Sequence, residues 1–209
     1  MSLSDVAVPD GLEQGTVRVM QLALLGISAY GAVTLRFDFV LNGFVPLLVT
    51  FLPAYLRRDY SVRMEPGLVF MLTLAATVHA VGMLGPYQST FWYDWMAHAL
   101  SASVVALSGY AVIRALDIHS PSIELPRGFV RVFTVVLVVA FGGLWELFEL
   151  LVGSLATWLG MQPPLIVYGL DDSVLDMVSN TLGGITVALL APGSLTELPA
   201  SLAARVFDR

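Results

Sequence analysis

Apolar residues along this chain do not alternate with polar ones. They run in six long blocks, at approximately 17–35, 40–56, 66–84, 93–113, 129–151 and 173–191, separated by short polar punctuation. A helix needs about 20 mainly apolar residues to cross the hydrocarbon of a bilayer. The pattern therefore predicts an all-α protein, a polytopic transmembrane helix bundle of about six spans. The second and sixth blocks are short, and the second contains Pro46 and Pro53, so five spans or a re-entrant second segment is the fallback. The expected domain organisation is a short N-terminal segment at 1–16, a transmembrane domain at 17–191 and a tail at 192–209. Leu198, Leu202 and Val206, four apart in that tail, predict a short amphipathic helix at the inner surface. The connection 152–172 is mostly apolar and is expected to lie in the interface or to fold over the bundle as a lid.

Composition agrees with the blocks: 57% of the 209 residues are hydrophobic and 12% charged, with a mean hydropathy of +0.81, values that exclude an ordinary soluble domain. The first sixteen residues carry three acids and no base, so the first block reads as a retained span and not as a signal peptide. All ten basic residues are arginine. With both termini cytoplasmic, nine of them (Arg18, Arg57, Arg58, Arg63, Arg114, Arg127, Arg131, Arg205 and Arg209) fall inside and Arg36 alone outside. That asymmetry predicts a multi-pass plasma-membrane protein with cytoplasmic termini. A net charge of −6 without lysine fits an extreme halophile or, alternatively, a GC-rich genome that favours arginine codons. No basic face interleaved with aromatics points to nucleic acid; the expected partner is membrane lipid, and the oligomeric state is open. Cysteine is absent, so any metal has to be held by His, Asp, Glu or Asn.

Given this orientation, the ionisable residues gather at one depth. His79 lies near the outer end of the third span. Asp94 opens the fourth, with His98 one turn deeper; Glu146 and Glu149 close the fifth; Asp171, Asp172, Asp176 and Asn180 open the sixth. The spacings i, i+4 (Asp94, His98), i, i+3 (Glu146, Glu149) and i, i+4, i+8 (Asp172, Asp176, Asn180) put each set on one helical face. Such faces cannot look at lipid without a cost of about 2.5–3.5 kcal/mol per central charge on insertion scales, so they are expected to converge.

Plainer roles exist for several of these groups. Asp94 sits in an aromatic belt and suits an N-cap, Asp171 and Asp172 suit the dipole at a helix start, and His79 suits a core histidine bonded to a carbonyl. Arg36 is positioned to reach an anionic headgroup, although neutralising Asp38 is its simpler use. Gly142 with Gly143 and Gly183 with Gly184 are expected at helix-packing seams. Trp92, Trp95, Trp145 and Trp158 are expected at the outer interface.

The order Tyr93-Asp94-x-x-x-His98, Trp145-Glu146-x-x-Glu149 and Asp172-x-x-x-Asp176-x-x-x-Asn180-x-x-Gly183 resembles the uncharacterised YjdF-type polytopic membrane proteins. More distantly it is similar to the VanZ-like family. The resemblance covers about residues 66 to 190. VanZ-like proteins usually carry a lysine after the first aspartate and a glutamine in the second motif; Trp95 and Glu149 stand there, which favours the YjdF type. The resemblance implies a membrane protein with a polar pocket.

Asp94, His98, Glu146, Glu149 and Asp176 form the expected catalytic set, with His98, Asp94, Glu146 and Asp176 as metal ligands and Arg36, Asp172 and Asn180 as substrate-binding residues. One imidazole and several carboxylates suit a divalent ion of the Mn, Fe or Zn type, and bundles host such sites on inward helix faces. The leading expectation is a metal-dependent hydrolase or transferase acting on a lipid or lipid-linked headgroup. A metal-free variant would use a carboxylate pair as acid and base. The alternatives are a proton- or cation-coupled transporter and a non-catalytic membrane binding or adaptor protein.

Overall fold

The computed structural model describes residues 10–120, 124–165, 169–191 and 195–206. Most of the expected 1–16 segment, part of the 152–172 connection and both edges of the tail lie outside these residues. Among the described residues every regular element is helical: α1 (Asp10–Val33), α2 (Phe37–Thr50), α3 (Leu52–Tyr60), α4 (Pro66–Gly82), α5 (Pro86–Ser89), α6 (Tyr93–His119), α7 (Arg127–Trp158), α8 (Leu170–Leu190) and α9 (Glu197–Val206). Glu13–Val33, Phe37–Tyr60, α6, α7 and α8 are long and apolar enough to cross a membrane, and α4 is a shorter apolar helix of 17 residues. The all-α bundle expected from the hydrophobic blocks is what forms.

Boundaries differ from the blocks where local chemistry outruns hydropathy. The second span is α2 and α3 in series, interrupted at Phe51, with Pro53 in the first turn of α3. There the missing N–H of proline costs nothing. α7 runs seven residues past the expected end at 151, because nothing between Val152 and Trp158 breaks a helix. It stops in a Schellman motif: Gly160 takes φ +69, Gly160 N–H bonds to Thr157 O, and Met161 N–H bonds to Ala156 O. At 32 residues α7 is about 48 Å long. It is therefore longer than a hydrocarbon core of about 30 Å is thick.

α6 is the central helix, packed against α4, α7, α8 and α9. Its buried residues include Ala97, Ala102, Ala106, Leu107, Gly109, Tyr110, Ala111 and Ala115, small on most sides, so four neighbours approach it. The main apolar core joins Leu68, Ala106, Leu107, Ala111, Val138, Val187, Ala191, Leu195 and Leu198. A second cluster of Leu24, Ile27, Phe39, Leu47 and Ala80 ties α1, α2 and α4. Lipid-facing surface is carried by exposed residues such as Leu22, Val132, Val136, Leu144 and Leu151. The tail helix α9 sits on α6 with Leu198 buried and Leu202 against the core. Its N-terminus is held by Glu65, whose Oε1 accepts the backbone N–H groups of Thr196, Glu197 and Leu198 at 2.6, 2.8 and 3.3 Å.

Of the four glycines expected at seams, three are there. A Cβ on Gly183 would collide with the Ala99 carbonyl of α6, one on Gly184 would lie 3.1 Å from Val138 Cβ of α7, and one on Gly142 would lie 2.9 Å from Asn180 Nδ2 of α8. Gly143 differs: nothing stands within 4 Å of its Cβ position, because it faces away from α8's packed stripe.

Candidate metal centre

The buried residues of α8 are Asp176, Ser179, Asn180, Gly183, Gly184, Val187 and Ala188, a stripe at i, i+3, i+4, i+7 and so on. Glycine and alanine in its lower part let α6 and α7 close in. The same face, continued upward, delivers Asp176 and Asn180 to the first turns of α6, where Asp94 and His98 stand on one face. His98 Nε2 lies 3.5 Å from Asp94 Oδ1 and 3.7 Å from Asp176 Oδ2. One ligand atom from each of the three residues falls within 4.8 Å of the others. Two ligand atoms about 2.1 Å from a single tetrahedral ion stand roughly 3.4 Å apart, so the spacing suits a small divalent cation. Asp176 is 2% exposed and its Oδ1 has no hydrogen-bond partner. A buried carboxylate oxygen left bare is costly, and a cation or a bound hydroxyl would remove that cost. Asn180, one turn deeper, interacts with the His98 side chain, and Gly142 leaves room for its amide.

The other expected site residues surround this group at different removes. Glu146 acts electrostatically on both His98 and Asp176 and has a buried Oε1 without a partner; it is not one of the three clustered ligands. Glu149 interacts with Trp145, four residues earlier on α7. Asp172, one turn outward of Asp176, acts electrostatically on Asp94. Arg36 is at the α1–α2 turn, where its Nε and Nη2 donate to the two Asp38 carboxylate oxygens at 3.0 and 2.6 Å and its guanidinium covers the Phe39 ring at 4.4 Å. Its pKa is raised by that hydrogen bond and charge.

A second polar chain abuts the first, and most of it escaped the sequence reading. Asn42 of α2 donates through Nδ2 to the Asp38 carbonyl at 2.9 Å and to the Pro164 carbonyl at 2.6 Å. Its Oδ1 therefore faces His79 Nε2, 3.0 Å away, and must accept, so Nε2 carries the proton. His79 Nδ1 is then the acceptor for Tyr87 Oη at 3.1 Å. Burial first, and nearby carboxylates after it, hold the Tyr87 phenol well above its usual range, so it stays a donor. His79 thus bonds two side chains, where a backbone carbonyl had been the simpler expectation. Trp145 lies edge-on to His79 at 6.3 Å and links this chain to Glu149. Asn42 was visible as a lone amide in an apolar span, which is expensive unless partnered. Through Pro164 it also anchors the α7–α8 connection over the bundle.

A bundle with membrane-length helices and a buried His/carboxylate group defines an integral membrane protein. The chain belongs to the family described as "Predicted membrane protein (DUF2238)", which matches residues 16–196. This agrees with the YjdF-type likeness and does not bear on the VanZ-like one. No curated protein and no solved structure matches the chain.

Proposed function

We propose that this protein is a divalent-metal-dependent membrane enzyme acting on a lipid or lipid-linked headgroup, with Asp94, His98 and Asp176 holding the ion. The observation that carries the reading is the convergence of three ligand atoms within 4.8 Å around a buried aspartate with a bare oxygen. Such an ion would polarise an ester or phosphoryl oxygen and lower the pKa of bound water. Glu146, whose charge acts on His98 and Asp176, would serve as a proton acceptor in such chemistry. In this reading the protein lies in the plasma membrane with cytoplasmic termini, and the site faces the outer headgroup layer.

One observation favours an enzyme over a transporter. Beneath the polar group the bundle is closed by Ala106, Leu107, Ala111, Val138 and Val187. The hydroxyls at this depth, on Ser103, Ser108, Thr134 and Thr186, each donate to a carbonyl four residues back on their own helix. Their protons are used within their own helices, which leaves them ill-suited to line a polar path, whereas a transport site needs access from both sides.

The test is the metal content of detergent-purified protein after loading with Mn, Fe or Zn, wild type beside His98→Ala and Asp176→Asn. One ion per chain in the wild type, lost in both variants, is the expected result. No ion in the loaded wild type would remove the metal-enzyme reading.

A further inference from the structure

Two apolar grooves of similar size open on the lipid-facing surface. One, of about 490 Å³, lies beside α1 between residues such as Ile27, Tyr30 and Phe39 and has no charged residue in its wall. The other, of about 540 Å³, runs between α7 and α8 and differs in one respect: Glu146 is part of its wall. Its remaining lining includes Gly143, Ser173, Val178 and Leu182. Gly143 faces open space, with nothing within 4 Å of its Cβ position.

The dimensions and charge of this groove specify an occupant. From Leu170 to Leu182 it follows α8 for about 18 Å at 1.5 Å per residue, close to the depth of one leaflet, about half of a 30 Å core. Glu146 and Ser173 lie toward its outer end, and the rest of the lining is apolar apart from Thr181 near the inner end, a wall suited to an acyl chain. Glu146 is the one charged residue in the wall of either groove. The arginine at this end of the bundle, Arg36, is engaged with Asp38. A carboxylate in an otherwise uncharged wall pairs favourably with an ammonium and not with an anionic headgroup.

We propose that the α7–α8 groove is the seat of a zwitterionic, amine-bearing phospholipid, one acyl chain lying along α8 and the ammonium against Glu146. Its phosphate would then fall toward the ion held by Asp94, His98 and Asp176. That last placement rests on the metal reading; the seating of chain and ammonium does not.

The test is native mass spectrometry of the full chain released from vesicles of phosphatidylethanolamine and phosphatidylglycerol in equal amounts with matched chains, with EDTA and with Mn. Wild type is expected to retain phosphatidylethanolamine over phosphatidylglycerol by about tenfold, the ratio one charge-assisted hydrogen bond gives, and Glu146→Gln to bring the two near parity. Gly143→Phe, or Val178→Trp should the first fail to fold, is expected to empty the groove of both lipids, while Val136→Trp on exposed surface outside it changes nothing. Equal retention of the two lipids by the wild type, or retention untouched by both groove-filling variants, would overturn the proposal. Selective, Glu146-dependent retention in a protein that takes up no Mn would uphold the groove and remove only the metal reading.

Discussion

His98 on α6 and Asp176 on α8 bring Nε2 and Oδ2 to 3.7 Å across a helix seam that closes because Gly183 has no side chain to meet the Ala99 carbonyl. The chemistry of the site and the packing of the bundle therefore depend on the same few residues, and variants separate the two.

Metal binding should be readable as stability. An ion that binds the folded protein at one hundred times its dissociation constant adds about 2.7 kcal/mol. Wild type in Mn should show a raised thermal midpoint relative to EDTA, and Asp176→Asn should show none. In EDTA the variant is expected to match or exceed wild type, because the amide replaces a buried carboxylate oxygen that has no partner.

The glycines make a matched pair of expectations. Gly183→Ala forces a methyl against backbone that cannot move aside and should cost about 1–3 kcal/mol, measured by thermal or denaturant unfolding in detergent. Gly143→Ala, with open space around its Cβ, should be neutral or slightly stabilising by helix propensity. Equal costs at the two positions would contradict the assigned seams.

Asn42→Leu removes the amide that ties the Pro164 carbonyl and His79 to α2. Losing bonds to buried partners costs about 1–3 kcal/mol. Hydrogen exchange at residues 159–165 is expected to accelerate by roughly tenfold per 1.4 kcal/mol lost, if opening of this connection is what exchange reports. Unchanged exchange would show that the connection is held by other contacts.

Glu65→Ala strips three backbone N–H groups at the start of α9 of their acceptor. Loss of such a cap costs about 0.5–2 kcal/mol, and exchange at residues 196–198 should rise with the rest of the bundle unaffected. Glu65→Gln, which keeps an acceptor oxygen, should retain part of the protection.

Orientation can be checked without background, since the chain has no cysteine. Gln88→Cys, exposed next to the polar site, should react with an impermeant thiol reagent added to intact cells. Ala204→Cys, exposed on α9, should react only after lysis. The reverse pattern would place the metal centre on the cytoplasmic side.

Hydropathy alone determined that this is a helical membrane bundle, because a bilayer leaves a chain with such apolar blocks no other way to satisfy its backbone. The periodic spacing of Asp94 with His98, and of Asp172, Asp176 and Asn180, determined which residues share a face, since helix geometry is local. What only the tertiary structure decided is which faces meet and at what height. Helix rotation and depth are set by packing: Gly183 against Ala99 brings Asp176 to His98, while Glu146, on the neighbouring helix, is left outside the ligand group and on the wall of a groove. The same packing chose partners for His79 that no spacing announces, because Asn42 and Tyr87 come from two other helices. Periodicity assigns a residue to a face, but the shapes of the side chains between two helices decide what that face touches.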